Sequence, residues 1–374
     1  MINTNKTAST LVLMLFLSFS APSFLVFPAN ATEDSWASKA PMQEARAGLG
    51  VAVVNGRIYA IGGYNSQIDG QTHFYGTINA TEEYDPATNT WTTKASMPTP
   101  RASFAIAVCD SKIYVIGGYI KLTSGSSSQL TNITEAYDPA ADTWETRASM
   151  PTARDGLEAN VVDGKIYLIG GVGADGIIGV TEVYDPVADS WATMTPVPTP
   201  VSHYASAVVD NKIYVISGKH GDDFVNLTQI YDPETGTWSS GTSILNGVID
   251  AAAGATTGDA APEAIYVVGG KFVSDPLYGQ EIVQVYFPEN DSWSLGASLP
   301  AARAELCVAV LDDISYALGG GRSLLQADST DLWQYTPLDA VPEFPSWAIL
   351  PLLLTATLLV IFFKKRLPAT VSSI

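Results

Sequence analysis

The chain has 374 residues and carries 38 Asp and Glu against 19 Lys and Arg, a formal net charge of −19 at pH 7. This acidic balance argues against nucleic acid as a partner and against binding of anionic lipid through the folded domain. The two cysteines, Cys109 and Cys307, show no zinc-site or disulfide-framework spacing, and we expect both to be free thiols.

The first 31 residues are typical of a secretory signal peptide. A positive charge at Lys6 precedes an apolar run over residues 11–27, and Ala29-Asn30-Ala31 is an A-x-A cleavage site. We therefore expect cleavage after Ala31 and export of the segment that follows.

Six copies of one pattern, with a period of roughly 50 residues, fill the chain between residues 34 and 337. In each copy an apolar run ends in two small residues and a Tyr-x-Pro follows. The paired small residues are Gly62-Gly63, Gly117-Gly118, Gly170-Gly171, Ser217-Gly218, Gly269-Gly270 and Gly319-Gly320. The Tyr-x-Pro signals begin at Tyr84, Tyr137, Tyr184, Tyr231, Tyr286 and Tyr335, and the first five precede Trp91, Trp144, Trp191, Trp238 and Trp293.

The first copy shows how each repeat folds. Leu49, Val51 and Val53 alternate with small residues, and a second short apolar run ends at Ile61, a period-two pattern that is typical of strands. Asn55-Gly56 between these runs predicts a two-residue hairpin turn. The same turn is expected at Asp163-Gly164 and Asp210-Asn211.

On these residues the array resembles the Kelch repeat. The resemblance implies an all-β fold, a six-bladed Kelch-type β-propeller in which each repeat is a four-stranded blade. No Trp follows the last Tyr-x-Pro, whereas Asp34-Ser35-Trp36 is similar to Asn89-Thr90-Trp91. We therefore predict that the N-terminal Trp36 strand completes the sixth blade and closes the ring, with the Trp and Tyr residues as core between blades.

The C-terminal region predicts a membrane anchor. Residues 347–363 are apolar and uncharged, and Lys364-Lys365-Arg366 follows at once, which indicates a transmembrane helix with the propeller outside and a short cytoplasmic tail, 364–374. The propeller is assigned to residues 32–340 and a linker to 341–346. Within this linker region Pro342-Glu343-Phe344 resembles PEF-CTERM-type sorting signals of archaeal surface proteins. That resemblance implies a membrane sortase-type peptidase as a partner, which would transfer the propeller to another anchor.

Other motifs give modification sites and no catalytic group. Sequons at Asn79, Asn132, Asn226 and Asn290 are glycosylation candidates of an exported domain. The segment 171–176 has G-x-G-x-x-G spacing, but it joins two strands and no helix follows to bind a pyrophosphate. We expect no catalytic residue, metal or cofactor.

Alignment of the repeats on their paired small residues gives candidate ligand-binding residues. One position, expected at the channel mouth, carries Arg in four repeats, and nearby positions carry unique polar residues in place of small ones. The arginines are Arg46, Arg101, Arg154 and Arg303, and the polar exceptions are Glu158, His203 and Glu305. We predict an Arg-rimmed, Glu-containing pocket for a polar or anionic ligand. The alternative is that each Arg only braces a loop.

The function indicated is a binding or adhesion module, displayed at the cell surface, for an extracellular glycan, cell-envelope polymer or protein. The alternative is an extracytoplasmic carbohydrate-active enzyme, because a copper oxidase of sugars and a sialic-acid epimerase are among the proteins that the array resembles. The three histidines, His73, His203 and His220, show no copper-site arrangement. A polar constellation at one mouth with a perturbed carboxylate or a metal would separate the two functions.

Overall fold

The computed structural model describes residues 34–69, 72–122, 127–322 and 328–337. These residues form six antiparallel four-stranded sheets. The first strands of neighbouring sheets contact one another in ring order, so they are innermost around a central channel. The predicted six-bladed, all-β propeller is therefore confirmed.

Each blade runs outward from its innermost strand. Blade 1 comprises Gly50–Val54, Arg57–Ile61, Thr81–Asp85 and Thr90–Thr93. Blade 2 comprises Ala105–Cys109, Lys112–Ile116, Thr134–Asp138 and Thr143–Arg147. Blade 3 comprises Ala159–Val162, Lys165–Ile169, Thr181–Asp185 and Ser190–Met194. Blade 4 comprises Ala205–Val209, Lys212–Ile216, Thr228–Asp232 and Thr237–Gly241. Blade 5 comprises Ala252–Ala255, Ile265–Val268, Val283–Phe287 and Ser292–Leu295.

Blade 6 takes its outermost strand from the other end of the repeat array. It comprises Cys307–Leu311, Ile314–Leu318, Leu332–Thr336 and Ser35–Ser38. Trp36 pairs with Tyr335 in the register that Trp91 has with Tyr84 in blade 1. The prediction that the Trp36 strand closes the ring is confirmed.

Short hairpins extend from the connections between second and third strands. They pair Tyr64–Asp69 with Thr72–Thr77, Tyr119–Ile120 with Gln129–Leu130, Val172–Gly173 with Gly176–Ile177, and Lys219–His220 with Asp223–Phe224. In blade 5, Val248–Ile249 pairs with Lys271–Phe272. The helical content of the described residues is one 3-10 turn, Pro288–Asn290.

The predicted two-residue hairpin turns have the backbone conformation expected for them. Asn55 and Gly56 have φ of 51° and 71°, and positive values also occur at Asp163-Gly164 and Asp210-Asn211. Two consecutive positive φ angles define the turn that matches the twist of a hairpin, and Asn, Asp and Gly adopt them at low cost. These turns lie at the opposite end of the channel from the connections between blades.

The core lies between blades and not within one sheet. Each Tyr of the Tyr-x-Pro signals packs on the Trp of its own blade at centroid distances of 4.9 to 5.1 Å. The Trp Nε1 then donates to a carbonyl that follows the preceding blade's outermost strand, as Trp91 does to Ala40 at 2.8 Å. Trp36 donates to Ala297 in the same way, at 2.9 Å. The predicted role of these aromatics as core between blades is confirmed.

The described residues contain no helix with the length and apolarity needed to cross a bilayer. The predicted signal peptide (1–31), transmembrane helix (347–363), its linker and basic tail lie outside the described residues.

Candidate functional site

Six residues, one from each connection between blades, form a closed ring around one end of the channel, which we call the mouth ring. Each member's backbone N–H donates to the carbonyl of the member before it, at 2.8 to 3.0 Å. All six have φ between 49° and 60°. The members are Gly48, Ser103, Gly156, His203, Asp250 and Glu305.

The backbone of the mouth ring is nearly six-fold, but its side chains are not. A left-handed conformation suits Gly, and holding a non-glycine residue there costs of order 1 kcal/mol or more. Four of the six positions nevertheless carry a side chain, and three of these are His203, Asp250 and Glu305. The blade geometry therefore does not require these polar groups.

A lysine links two of the ring's carboxylates. Lys271, the residue after the paired glycines of blade 5, lies 2.9 Å from both Asp250 and Glu305. Burial disfavours the charged form of Lys271, but the two carboxylates outweigh it and raise its pKa. The Tyr64 hydroxyl donates to Glu305 at 2.5 Å. Burial and then Glu305 raise the pKa of Tyr64, so this hydroxyl stays protonated.

Asp155, from the connection that enters blade 3, adds a third carboxyl group to the mouth, near His203. The His203 ring lies against Gly156, where a Cβ would be 2.6 Å from the imidazole. The neighbouring Asp155 has its pKa raised by burial, partly offset by the charge of His203. Tyr119 faces the same mouth, and burial followed by Glu305 and Asp155 raises its pKa. The mouth is thus acidic overall, with aromatic hydroxyls between the carboxylates.

One cavity of about 70 Å³ connects the mouth ring with the neck of the channel below it. Its lining includes His203, Asp250 and Glu305 at the mouth, and Glu158 and Cys307 in the neck. The Glu158 carboxylate receives no hydrogen bond or ion pair from the described residues, and burial raises its pKa to about 8. Across the channel, burial and then the charge of Glu158 raise the pKa of Cys307.

The structure therefore brings Glu158, His203 and Glu305 together, as the sequence predicted. It does not bring the arginines to them. Arg46, Arg101 and Arg154 are fully buried inside their blades, and Arg303 is 8% exposed. The predicted arginine-rimmed mouth is wrong, because these side chains point into the blades and offer almost no surface to a ligand.

Each buried arginine is neutralised inside its own blade. Arg46 pairs with Glu82 at 2.8 Å, Arg101 with Glu135 at 2.6 Å, and Arg154 with Glu182. Arg303 pairs with Asp331, and its guanidinium lies 4.9 Å from the centroid of the Trp333 ring. The alternative prediction, that each Arg braces a loop, matches this geometry.

Two blades lack the arginine and also lack the glutamate. In blade 4 the position is Val201 and its partner is Gln229, whose amide exchanges hydrogen bonds with the backbone of Thr199 at 2.9 and 3.0 Å. In blade 5 the equivalent residue is Val248, and Gln284 bonds to the backbone of Asn246. The paired change from Arg–Glu to Val–Gln was the sequence signal for a buried ion pair.

The remaining candidates lie elsewhere. Asn226 and Asn290 are exposed, Asn79 is half-buried, and the Asn132 amide donates to the Met150 carbonyl at 2.9 Å. Glycosylation of these residues stays a prediction. Cys109 and Cys307 are free thiols, as expected. In the described part of the chain no group of three or more His, Cys, Asp or Glu side chains is placed to hold a metal ion.

Comparisons with known proteins agree with this architecture. The family described as the KLHDC2/KLHL20/DRC7 Kelch-repeats domain matches residues 48–270. Human Kelch repeat and BTB domain-containing protein 12 is 32% identical over 155 residues, 39% of this chain and 25% of that protein. Kelch-like protein terF of Aspergillus terreus (strain NIH 2624 / FGSC A1156) is 35% identical over 183 residues, 46% of this chain and 38% of that protein.

A further relative and a solved structure extend the comparison. The mouse Influenza virus NS1A-binding protein homolog is 42% identical over 91 residues, 24% of this chain and 12% of that protein. The matches thus span between 12% and 38% of these three relatives' own length. The structure of YjhT is similar with a TM-score of 0.65 at 16% identity, covering 78% of this chain and 95% of that one, which shows likeness of fold alone.

Proposed function

Since the chain belongs to the Kelch-repeat family, we propose that it is a binding module displayed at the cell surface, with the mouth of the propeller channel as its ligand site. The observation that carries this proposal is the contrast within the mouth ring. Six residues share one backbone conformation, yet polar side chains occupy positions where glycine would be less strained. Polar groups that the fold does not need, converging on one cavity, are typical of a ligand site.

The groups at the mouth favour a neutral or cationic polar ligand. The expected arginine ring was the reason to predict an anionic one, and those arginines are buried. The cavity is instead lined by Glu158, Asp250 and Glu305, with Lys271 held between two of them. An anion entering there would meet a negative potential. The partner classes remain an extracellular glycan, a cell-envelope polymer or a protein, and one relative is by its name a binding protein.

Display at the surface rests on the two ends of the sequence. The signal-peptide pattern of residues 1–31 supports export, and the apolar run 347–363 with its basic tail supports anchoring with the propeller outside. A sortase-type peptidase acting at Pro342-Glu343-Phe344 is the proposed processing partner. Mass determination of the mature protein tests both ends, since it gives the residues at which the chain begins and stops.

The function is tested by screening the purified protein against glycans, envelope polymers and envelope proteins. A ligand found there should bind less tightly to His203→Ala and to Glu305→Gln, by about tenfold or more. Asp163→Asn, in a turn at the opposite end of the channel, is the matched control and should bind as the unsubstituted protein does. Equal affinity in all three variants would place the site elsewhere.

One observation favours the alternative, an extracytoplasmic carbohydrate-active enzyme. A carboxyl group with a pKa of about 8 in a cavity is the kind of group used in acid–base catalysis. Incubation of candidate sugars with the protein, followed by NMR, tests this directly. Turnover that Glu158→Gln abolishes would favour the enzyme over the binding module.

A further inference from the structure

The neck of the channel holds an acidic group that the fold leaves without a partner. Glu158 occupies a position that is glycine, alanine or cysteine in the other blades, namely Gly50, Ala105, Ala205, Ala252 and Cys307. Its backbone N–H bonds to the Tyr204 hydroxyl at 3.2 Å, which holds the backbone in place. The Glu158 side chain is half-buried, and no cation or donor among the described residues reaches its carboxylate, although partial burial of an unpaired carboxylate is unfavourable.

The cavity beside Glu158 is small. Its volume of about 70 Å³ is room for only a few water molecules. Asp250 and Glu305 line the cavity at the mouth, where Lys271 links their carboxylates, and Glu158 lines it in the neck. Glu158 is thus the lining carboxylate that no cation of the described residues reaches. An unbranched, positively charged group fits both the small volume of the cavity and the charge of an ionised Glu158.

Building on the proposed function, we propose that this cavity takes the primary ammonium end of a lysine side chain of a partner protein, with the Glu158 carboxylate as its counter-ion at the neck. A lysine side chain is unbranched, and its ammonium is a compact point charge with three donors. A guanidinium is planar and wider, so the small cavity favours lysine over arginine.

Proton release should accompany this binding. Near pH 7 most of the Glu158 carboxyl groups are protonated, because burial raises the pKa to about 8. An ammonium beside the carboxylate favours its ionised form. Affinity for lysine should therefore rise about tenfold between pH 7 and pH 9, a range in which a free lysine side chain keeps its charge.

Other groups that face the cavity can be separated from Glu158. The titratable groups that line the cavity with Glu158 are His203, Tyr204, Asp250, Glu305 and Cys307. Tyr64, Tyr119, Asp155 and Lys271 lie near these groups at the mouth. The pKa values of Tyr64, Tyr119, Tyr204, Lys271 and Cys307 are raised, so these groups keep their protons up to pH 9. A substitution at Glu158 itself separates its contribution to the pH dependence of binding from that of the other groups.

The test uses N-acetyl-lysine N-methylamide as the probe, with the norleucine and arginine analogues for comparison. Binding to the full chain is measured by ligand-observed NMR at pH 7, 8 and 9. We expect lysine to bind at least about tenfold more tightly than norleucine and more tightly than arginine, with the predicted rise toward pH 9. Glu158→Gln should remove the rise and most of the preference, whereas Cys307→Ser, in the same neck, should keep both.

Two results would overturn the proposal: equal binding of the lysine and norleucine probes, including no binding of either, or a pH dependence that survives in Glu158→Gln. Neither result contradicts the proposed function of the mouth as a ligand site. If a ligand from the screen is weakened by His203→Ala but not by Glu158→Gln, the mouth is a binding site and the lysine assignment fails.

Discussion

The backbone N–H of Gly48 donates a hydrogen bond of 3.0 Å to the carbonyl of Glu305, and this contact closes the mouth ring between the first and last blades. The pairing of Trp36 with Tyr335 closes the same propeller at its outer edge. The two closures join the ends of the repeat array both at the channel and at the outer side of the propeller, where the Ser35–Ser38 strand completes the sixth blade. The ring hydrogen bonds tie together the backbone positions of His203, Asp250 and Glu305.

The contribution of the Trp36 strand to ring closure can be measured with a substitution at Trp36 and a control on another blade. Trp36→Ala removes the stacking on Tyr335 and the bond to Ala297. Because the side chain is partly exposed, we expect a loss of about 2–3 kcal/mol in the free energy of unfolding, with faster hydrogen exchange along Leu332–Thr336. Leu295→Ala, at a residue 63% exposed on the outermost strand of blade 5, is the control. Unchanged exchange along Leu332–Thr336 in Trp36→Ala would contradict this role.

The buried ion pairs predict that a second substitution restores part of the stability that the first one removes. Arg101→Val or Glu135→Gln alone should cost about 3–5 kcal/mol, because each breaks a buried pair. The double substitution reproduces the Val201–Gln229 arrangement of blade 4 and should be more stable than Arg101→Val by about 2 kcal/mol or more. Denaturant unfolding of the four proteins measures this. Arg57→Ala, at a partly exposed pair with Asp85, should lose less than about 1 kcal/mol.

A double mutant no more stable than Arg101→Val would show that the two side chains are not coupled. The same geometry predicts that Arg101→Ala combined with Arg154→Ala strongly destabilises the propeller. A ligand-binding role at the mouth would instead have left its stability nearly unchanged.

Three aspartates should make the fold acid-sensitive. Asp142, Asp189 and Asp291 each accept a hydrogen bond from the Tyr of their blade, which, with a backbone N–H, lowers the carboxyl pKa. Because the folded pKa is below the unfolded value, their contribution is present above about pH 4 and is lost as pH falls through the folded pKa. In blade 1, Asn89 occupies this position and accepts from Tyr84 at 2.8 Å.

Replacement of the three aspartates by Asn should therefore flatten the acid side of the stability curve. The melting temperature, measured from pH 3 to pH 7, should fall less steeply in the triple variant than in the unsubstituted protein. Parallel curves would mean that these hydrogen bonds do not favour the ionised carboxylates.

Glu158 should act on stability in the opposite sense. Its folded pKa of about 8 lies above the unfolded value near 4.3, so the folded state binds the extra proton. The carboxylate's destabilising effect is absent below pH 4, grows as pH rises toward 8 and is complete above it. Glu158→Gln should raise the melting temperature at pH 9 by a few degrees and leave it nearly unchanged at pH 4. An equal effect at both pH values would contradict the raised pKa.

Much of the fold could be predicted because a propeller repeats its local signals. Asp34-Ser35-Trp36 and Asn89-Thr90-Trp91 give the same strand and the same register. The direction of a side chain is not part of such a signal. An arginine at the repeat position of Arg101 gives the same sequence pattern whether its side chain faces the channel or the blade interior. Only its pairing with Glu135 distinguishes these two orientations.

Other parts of the site were missed for two physical reasons. In blade 5 the long connection between Ala255 and Ile265 shifts the count from the paired glycines, so Val248 and Asp250 were not recognised as members of the repeat. Lys271 follows the paired glycines, where connections differ in length and sequence between blades. Its contacts with two ring carboxylates arise only when the ring closes.

The most direct test of the central claim, that the mouth is the ligand site, is hydrogen–deuterium exchange of the full chain with and without a ligand found in the screen. We predict added protection in the mouth ring and in the hairpins that follow the paired glycines, such as Lys219–Phe224. Protection confined to the turns at the opposite end, such as Asn55-Gly56 and Asp163-Gly164, or to the outermost strands would contradict it.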